Sequence, residues 1–420
     1  MSAEVTTLPS GLAIVTEAMP QVKTASIGVF VRVGSRHELA SEHGLSHLLE
    51  HMAFKGTRRR SAREIAETIE NVGGDLNAET GVEGTGYFAR VMGGDAPLAL
   101  DILGDILTES QFDPAELERE KNVVVQEIGA VEDTPDDLVF DLLTESAWPG
   151  QAIGRPILGT REGVGAYDRD AIDRYLRGHY SAPAMVVSAA GAVTHDEIAT
   201  LAAERLSAIA PDAVAPQAPA LYRGGERKTR RRLEQTHLVV GFEGHAVGAA
   251  EHDAAQVFAA AAGGGMSSRL FQEVREKRGL AYSIYAFHWA YSDTGLLGFY
   301  AAAADKDAAE VVSASLDCLA EAAHTIDETE VRRAKAQMKV SLAAALESPG
   351  ARAHQLGRQM QVYGRPLSID DMIARVDAVT AQDVRRAGAA MLRSAPTVAA
   401  IGAATKVPGQ ARVAESLRGV

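Results

Sequence analysis

The chain has 420 residues, 42 Lys and Arg against 56 Asp and Glu for a net charge of −14, and 46% apolar but only 5% aromatic residues. That length and hydrophobic content predict two or three compact units and exclude a disordered or collagen-like chain. The acidic balance would repel phosphates over most of the surface, which excludes a general nucleic-acid binder and favours basic peptides as ligands.

The opening Met1-Ser-Ala-Glu-Val-Thr-Thr-Leu-Pro9 has neither the basic region nor the apolar stretch of a secretion signal. No later run reaches the ~18 apolar residues needed to cross a bilayer. A cytoplasmic protein with no membrane association is expected. In chain order, strand-like runs are predicted at Ser26–Val33, Tyr87–Met92, Ala184–Ala190, His237–Phe242, Leu296–Ala301 and Thr397–Ala400. Longer helix-period segments separate them. These include Leu45–Phe54, a helix opened by the capping box Ser61–Glu64 and closed by Gly73-Gly74, Glu116–Glu132, and a helix opened by a second capping box, Thr194–Glu197. The single cysteine, Cys318, lies between Leu316 and Leu319 in such a segment and reads as a buried core residue of a reducing compartment. Arg58–Arg60 and Arg230–Arg232 sit beside turn or linker signals and read as solvated surface.

The chain also repeats itself. Phe112-Asp-Pro-Ala-Glu116-Leu-Glu-Arg119-Glu120-Lys121 aligns without a gap on Ile326-Asp-Glu-Thr-Glu330-Val-Arg-Arg333-Ala334-Lys335, and Ser181-Ala-Pro183 aligns on Ser394-Ala-Pro396 at nearly the same offset. Two homologous halves follow, 1–215 and 220–420, joined through the Pro- and Ala-rich stretch Pro211–Pro219. The strands are too few and too irregularly spaced for strict βαβα winding. The fold class expected is α+β, each half a mostly antiparallel sheet packed with helices.

The most informative residues are His47-Leu-Leu-Glu50-His51. On a helix His47 and His51 stand one turn apart on one face, so two imidazole nitrogens can converge on a metal with Glu50 beside them. Two histidines and a glutamate on a helix face also describe a solvated surface. The metal reading gains because the same helix carries Leu45, Leu48, Leu49, Met52 and Phe54, and three titratable groups on a well-buried element are costly without a metal or partners. A catalytic zinc wants three protein ligands and an open position, so a distant carboxylate should complete the set. Glu120 and Glu127, two helical turns apart on one face of Glu116–Glu132, are the candidates. The second half has Ala334 and Ser341 at the equivalent places and no His-x-x-Glu-His. The acidic pair is therefore not required by the fold, as a functional role predicts.

The segment His43-Gly-Leu-Ser-His47-Leu-Leu-Glu50-His51-Met-Ala-Phe-Lys-Gly-Thr57 resembles the pitrilysin/insulinase family of metallopeptidases, in particular the branch containing mitochondrial processing peptidase. The resemblance covers nearly the whole chain. It implies one Zn2+ per chain on His47, His51 and Glu127, with Glu127 at the spacing from His51 that the family's third ligand requires. It implies Glu50 as general base on the attacking water and Glu120 as a support behind the ligands. Gly73-Gly-Asp-Leu-Asn77-Ala78 resembles the family's edge strand, on which an extended peptide adds itself through Asn77 and Ala78. The run that follows, Glu79–Tyr87, departs from the family in being acidic and glycine-rich.

In the second half, the glycine-rich run at Gly263 followed by Arg275 and Tyr282, seven apart, resembles the family's loop and the pair that reaches the substrate. No Gly-Lys-[Ser/Thr] follows the glycines, so they are not a phosphate cradle. Asp137-Leu-Val-Phe-Asp141 resembles the acidic patch that processing peptidases use for an arginine near the cleaved bond; two acids one turn apart are most often a solvated helix face. The resemblance implies a zinc endopeptidase acting on peptides or unfolded protein segments. It further implies a clam-like shell of four such halves, completed by a homodimer or by a heterodimer with a related subunit. The alternative within the family is a non-catalytic core subunit; such members lack a complete zinc motif, whereas here every ligand position is filled.

Overall fold

Runs of β-branched and small apolar residues set the strands, and the computed structural model describes residues 3–212 and 217–419. Positions 213–216 of the expected linker lie outside the described residues. The strands are β1 (Glu4–Thr7), β2 (Ala13–Ala18), β3 (Thr24–Val31), β4 (Asp75–Thr80), β5 (Thr85–Met92), β6 (Met185–Gly191), β7 (Gly225–Arg230), β8 (Thr236–Gly244), β9 (Ala281–Ala290), β10 (Gly295–Ala303) and β11 (Thr397–Gly402). Helices of the first half are α1 (Leu45–Ala53), α2 (Ala62–Glu70), α3 (Ala96–Thr108), α4 (Pro114–Asp133), α5 (Pro135–Ala147), α6 (Arg161–Ala166), α7 (Arg169–His179) and α8 (His195–Arg205). Those of the second are α9 (His252–Gly263), α10 (Ala308–Thr325), α11 (Glu328–Ala344), α12 (Pro349–Tyr363), α13 (Ile369–Ala378), α14 (Ala381–Leu392) and α15 (Gln410–Ser416). This is the expected α+β class. Each predicted strand is present, a residue or two from its predicted ends.

The chain forms two compact units, and neither is continuous in sequence. The first takes Met1–Gly129, Pro156–Gln217 and Leu342–Ile369; the second takes Ala130–Arg155, Ala218–Ser341 and Asp370–Val420. In the first, six strands run in the order β1-β2-β6-β3-β5-β4, antiparallel except for β2 beside β6. Alternation along β3 and β5 sends Ile27, Val29, Tyr87 and Ala89 into a core with Leu48, Met52, Leu100 and Leu103 of α1 and α3. The opposite face is covered by α12, whose Leu356 and Met360 meet Val15 and Val186. Gly357 is needed there, since a Cβ would come within 2.5 Å of the Phe30 ring. On the same face Arg352 Nη2 meets Glu17 Oε2 at 2.6 Å, both side chains buried.

The second unit repeats the plan with the order β7-β11-β8-β10-β9 and one parallel pair, β7 with β11. Leu238, Val240, Phe242, Leu297 and Phe299 form a core with Phe258, Val311, Leu319 and Val384 of α9, α10 and α14, and Cys318 is buried among them. The other face is covered by α5, which packs on β7, β8 and β11. Each sheet is thus covered on one side by a helix drawn from the opposite half of the sequence. An apolar helical stripe announces that it is buried, but not against which sheet.

Two local expectations are corrected. Ser61 does cap α2, accepting the Glu64 N–H at 3.2 Å. Thr194 makes no such bond at α8; the element is held by His195, whose nitrogens lie 2.8 and 2.9 Å from Thr6 Oγ1 and Thr16 Oγ1. Arg58–Arg60 is solvated only in part: Arg58 and Arg59 are exposed, while Arg60 is drawn in by acids of α3. Arg59 Nε and Arg60 Nη1 donate to Asp105 at 3.0 and 2.7 Å, and the Asp105 carboxylate is fully buried.

His288 on β9 gives the second unit a pH dependence. Its Nε2 accepts the His245 N–H at 3.0 Å, so the neutral ring carries its hydrogen on the buried, unpartnered Nδ1 and a second proton could enter only at Nε2, against that N–H. Burial, with His252 and His245 adding to it, pushes the imidazole down to about 3 from 6.5. The folded state therefore binds fewer protons than the unfolded state below pH 6.5. Stability from this group is full above that value and falls by about 1.4 kcal/mol per pH unit toward pH 3. Urea unfolding at stepped pH should show the wild type losing stability with acid faster than His288→Gln; parallel curves would refute the assignment.

Candidate metal centre

The centre is built on α1. The chain enters the helix through Gly44 at φ +94°, where a Cβ would stand 2.8 Å from Gly159 Cα. The first turn is capped from a distance: Glu38 accepts the N–H groups of Gly44 and Ser46 at 2.9 and 2.8 Å, and Ser46 Oγ meets Tyr175 OH at 2.7 Å. Leu45, Leu48, Leu49, Met52 and Ala53 turn into the core. That leaves His47, Glu50 and His51 on the remaining arc, the two imidazole rings 4.7 Å apart.

Helix α4 brings the carboxylates. Leu117, Glu120, Lys121, Val124 and Ile128 form its buried stripe, with Glu127 half-exposed beside it. Glu127 Oε2 lies 3.6 Å from His47 Nε2 and 3.5 Å from His51 Nε2. Glu120 Oε2 lies 3.0 Å from His51 Nδ1, and its other oxygen is 2.7 Å from Lys55 Nζ. In the second unit the equivalent Ala334 is buried and Ser341 Oγ bonds the Gln337 carbonyl of its own helix, so no donor set forms there.

The electrostatics follow from burial. His47 is pushed down to about 4, mainly by burial and then by His51, so it offers a lone pair. Burial lifts Glu50 above the ordinary carboxylate range against a hydrogen bond from Thr80, and Glu50 Oε2 is buried without a partner. Burial works against the Glu120 carboxylate too, but Lys55 and His51 outweigh it and hold the group below the usual range.

Two imidazole nitrogens and a carboxylate oxygen form the described cluster whose ligand atoms all lie within 4.8 Å of one another. Tetrahedral bonds of about 2.0–2.1 Å would put neighbouring donors about 3.4 Å apart, close to what these residues present. The residues fit a zinc ion with one position left open. Glu50 is outside the donor set and within electrostatic reach of His51 and Glu127.

The remaining predicted residues fall in three places. Asn77 and Ala78 lie on β4, which ends the first sheet and pairs only with β5 among the described strands. Asn77 is exposed and Ala78 turns inward. The acidic run after them is the β4–β5 hairpin, tied down by Ser35 N–H to Gly81 O and Arg36 N–H to Val82 O at 3.1 and 3.0 Å. Arg275 and Tyr282 belong to the second unit, where the guanidinium lies 4.6 and 4.5 Å from the ring centres of Phe271 and Tyr282, and Tyr282 is 73% exposed. The glycine run ahead of them is in part a packing device: Gly263 closes α9 where a Cβ would meet Ala286 N at 2.4 Å. Asp137 and Asp141 are on α5, also in the second unit; Asp137 is exposed, while Asp141 is half-buried and lifted to about 6 by burial, Glu145 and Asp137.

Sequence reasoning missed Glu38, Lys55 and Thr80. Glu38 caps from six and eight residues upstream, outside any local capping pattern, and Thr80 arrives from another strand. Lys55 stood in the recognised motif without a role.

Comparison with known proteins gives matches along the chain. Residues 13–161 match the insulinase family, peptidase family M16, and residues 166–338 match the domain described as peptidase M16 inactive domain. An uncharacterized zinc protease of Streptomyces coelicolor is 41% identical over 412 residues, covering 94% of this chain and 89% of its own. One from Bacillus subtilis is 38% identical over 381 residues, 90% of this chain and 93% of its own. Among solved structures, a chain of complex III2 from Candida albicans shares the fold at TM-score 0.87 and 24% identity, covering 99% of this chain and all of its own (100%). A peptidase M16 inactive domain from Pseudomonas fluorescens does so at 0.88 and 18%, covering 96% and 98%. Identity of this order with whole relatives, end to end, leaves one assignment: the chain belongs to the insulinase family of peptidases, M16.

Proposed function

We propose that the chain is a zinc-dependent endopeptidase acting on peptides or extended protein segments. The observation that carries the reading is the convergence of His47 Nε2, His51 Nε2 and Glu127 Oε2, with the unpartnered carboxyl oxygen of Glu50 next to them. The relatives' description as zinc proteases supports the choice of metal. Bound there, zinc supplies Lewis acidity toward the scissile carbonyl and the attacking water.

The protein's own groups do the rest. Glu50 takes a proton from the water as its oxygen bonds to the carbonyl carbon, and returns it to the amine as the carbon–nitrogen bond breaks. Thr80 holds the Glu50 carboxyl, and Glu120 holds His51. The free edge of β4 at Asn77 and Ala78 keeps the peptide extended by main-chain hydrogen bonds. Arg275 and Tyr282 donate to the substrate from the 220–420 half, while 1–215 carries the catalytic chemistry; Asp137 and Asp141 select an arginine near the cut. A second copy of the chain, or a related subunit, completes the chamber.

The test is cleavage of a mixture of peptides of about 10–30 residues, long enough to lie along a sheet edge. The zinc-loaded protein should cut, a chelator should stop it and zinc should restore it, with mass spectra reading the cut sites. A protein that holds zinc, is intact and cuts nothing would favour the non-catalytic core-subunit reading. Cuts with no arginine nearby would remove the role given to Asp137 and Asp141.

A further inference from the structure

One cation beside the centre has no part in the chemistry above. Lys55 stands in the turn that leaves α1, its N–H bonded to Met52 O at 3.2 Å. Its Nζ is 2.7 Å from Glu120 Oε1, while Oε2 of the same carboxylate is 3.0 Å from His51 Nδ1. The Glu120 side chain is 9% exposed, and a carboxylate so buried is costly unless a cation compensates it.

The turn that carries Lys55 is itself pinned. Gly56 takes φ +114°, Thr57 N–H bonds Arg60 O at 2.8 Å, and Thr57 Oγ1 donates to the buried Asp105 at 2.9 Å. The ammonium is therefore presented from a fixed base and does not depend on a wandering stem. On the other side of the carboxylate, His51 can offer Nε2 to a metal only if Nδ1 carries the hydrogen and has an acceptor for it; Glu120 Oε2 is that acceptor. A cation on the opposite oxygen stops the carboxylate from turning away and supplies its countercharge.

We propose that Lys55 is a positioning residue of the metal centre, fixing the His51 ring through Glu120 and so setting the affinity for zinc. The inference rests on the zinc reading of the site. It assigns the Lys of the Met-Ala-Phe-Lys-Gly-Thr segment to the metal and not to the substrate or the surface.

The test is zinc affinity of the metal-free full-length protein, measured by competition with a chromogenic chelator. Lys55→Met should bind zinc up to about 10-fold more weakly than wild type, the low end of the loss seen when a ligand's direct partner is removed, because Lys55 acts one step further back through Glu120; Lys55→Arg should recover most of it. In a Glu120→Gln background, where no buried carboxylate needs a countercharge, Lys55→Met should add little. Should Lys55→Met fail to give a cooperative thermal melt, Lys55→Gln keeps the stem, drops the charge and serves the same comparison. Wild-type affinity in Lys55→Met, or an equal loss in both backgrounds, overturns the inference alone. A wild-type protein that takes up no zinc overturns the functional reading, and this one with it.

Discussion

Glu50→Gln should lower kcat/KM on any peptide the wild type cuts by about 10²–10⁴-fold, the range that general-base catalysis contributes, and leave the zinc content unchanged. Glu50 is the residue before His51, so α1 aims it beside the two imidazoles without making it a donor to the metal. Glutamine keeps the shape and the hydrogen bond with Thr80, yet cannot take a proton. Zinc determination and cleavage assays on the same preparation separate the two effects. If activity fell only in proportion to lost zinc, Glu50 would be a structural support of the centre. If neither changed, the base would have to be sought elsewhere.

The second large effect concerns stability. Arg352→Met should cost about 3–5 kcal/mol, the usual loss when one partner of a buried ion pair is removed. The Arg352 and Glu17 side chains are 4% and 5% exposed, and the arginine is further held by Gln355. Truncation leaves Glu17 charged against the face where Met360 and Leu356 pack. The double variant Glu17→Leu/Arg352→Met should regain most of the loss, because neither charge is then stranded. Urea unfolding of the three variants settles it; a single-variant cost below about 1 kcal/mol, the value of an exposed pair, would mean that water reaches the site.

Much of the centre was legible in the sequence because helical spacing is rigid. His47 and His51 one turn apart must share a face, Glu120 and Glu127 two turns apart must share another, and the repeat displayed the same helix with Ala334 and Ser341 in their places. The strands were legible from apolar runs, since a half-buried or buried strand leaves a short-range pattern. What escaped was whatever depends on tertiary partners. Glu38 caps α1 from a separate turn, Arg59 and Arg60 face acids more than 40 residues on, and the Thr194 hydroxyl, though correctly spaced, leaves its cap unmade while His195 anchors the helix. The destinations of α5 and α12 were likewise invisible, because amphipathic faces carry no address.

The exchange of those two helices has a cost in time. The last strand of the first sheet, β6, is complete at Gly191, but α12 begins only at Pro349. At a synthesis rate of about 5–20 residues per second, on the order of ten seconds or more pass between the two. Through that interval the face bearing Val15, Met19, Val186 and Ala190 is apolar and bare. The nascent chain therefore needs protection, from a chaperone or from the ribosome surface, for as long as its own later sequence is still being made. Proteins truncated before residue 349 should be found in the insoluble fraction.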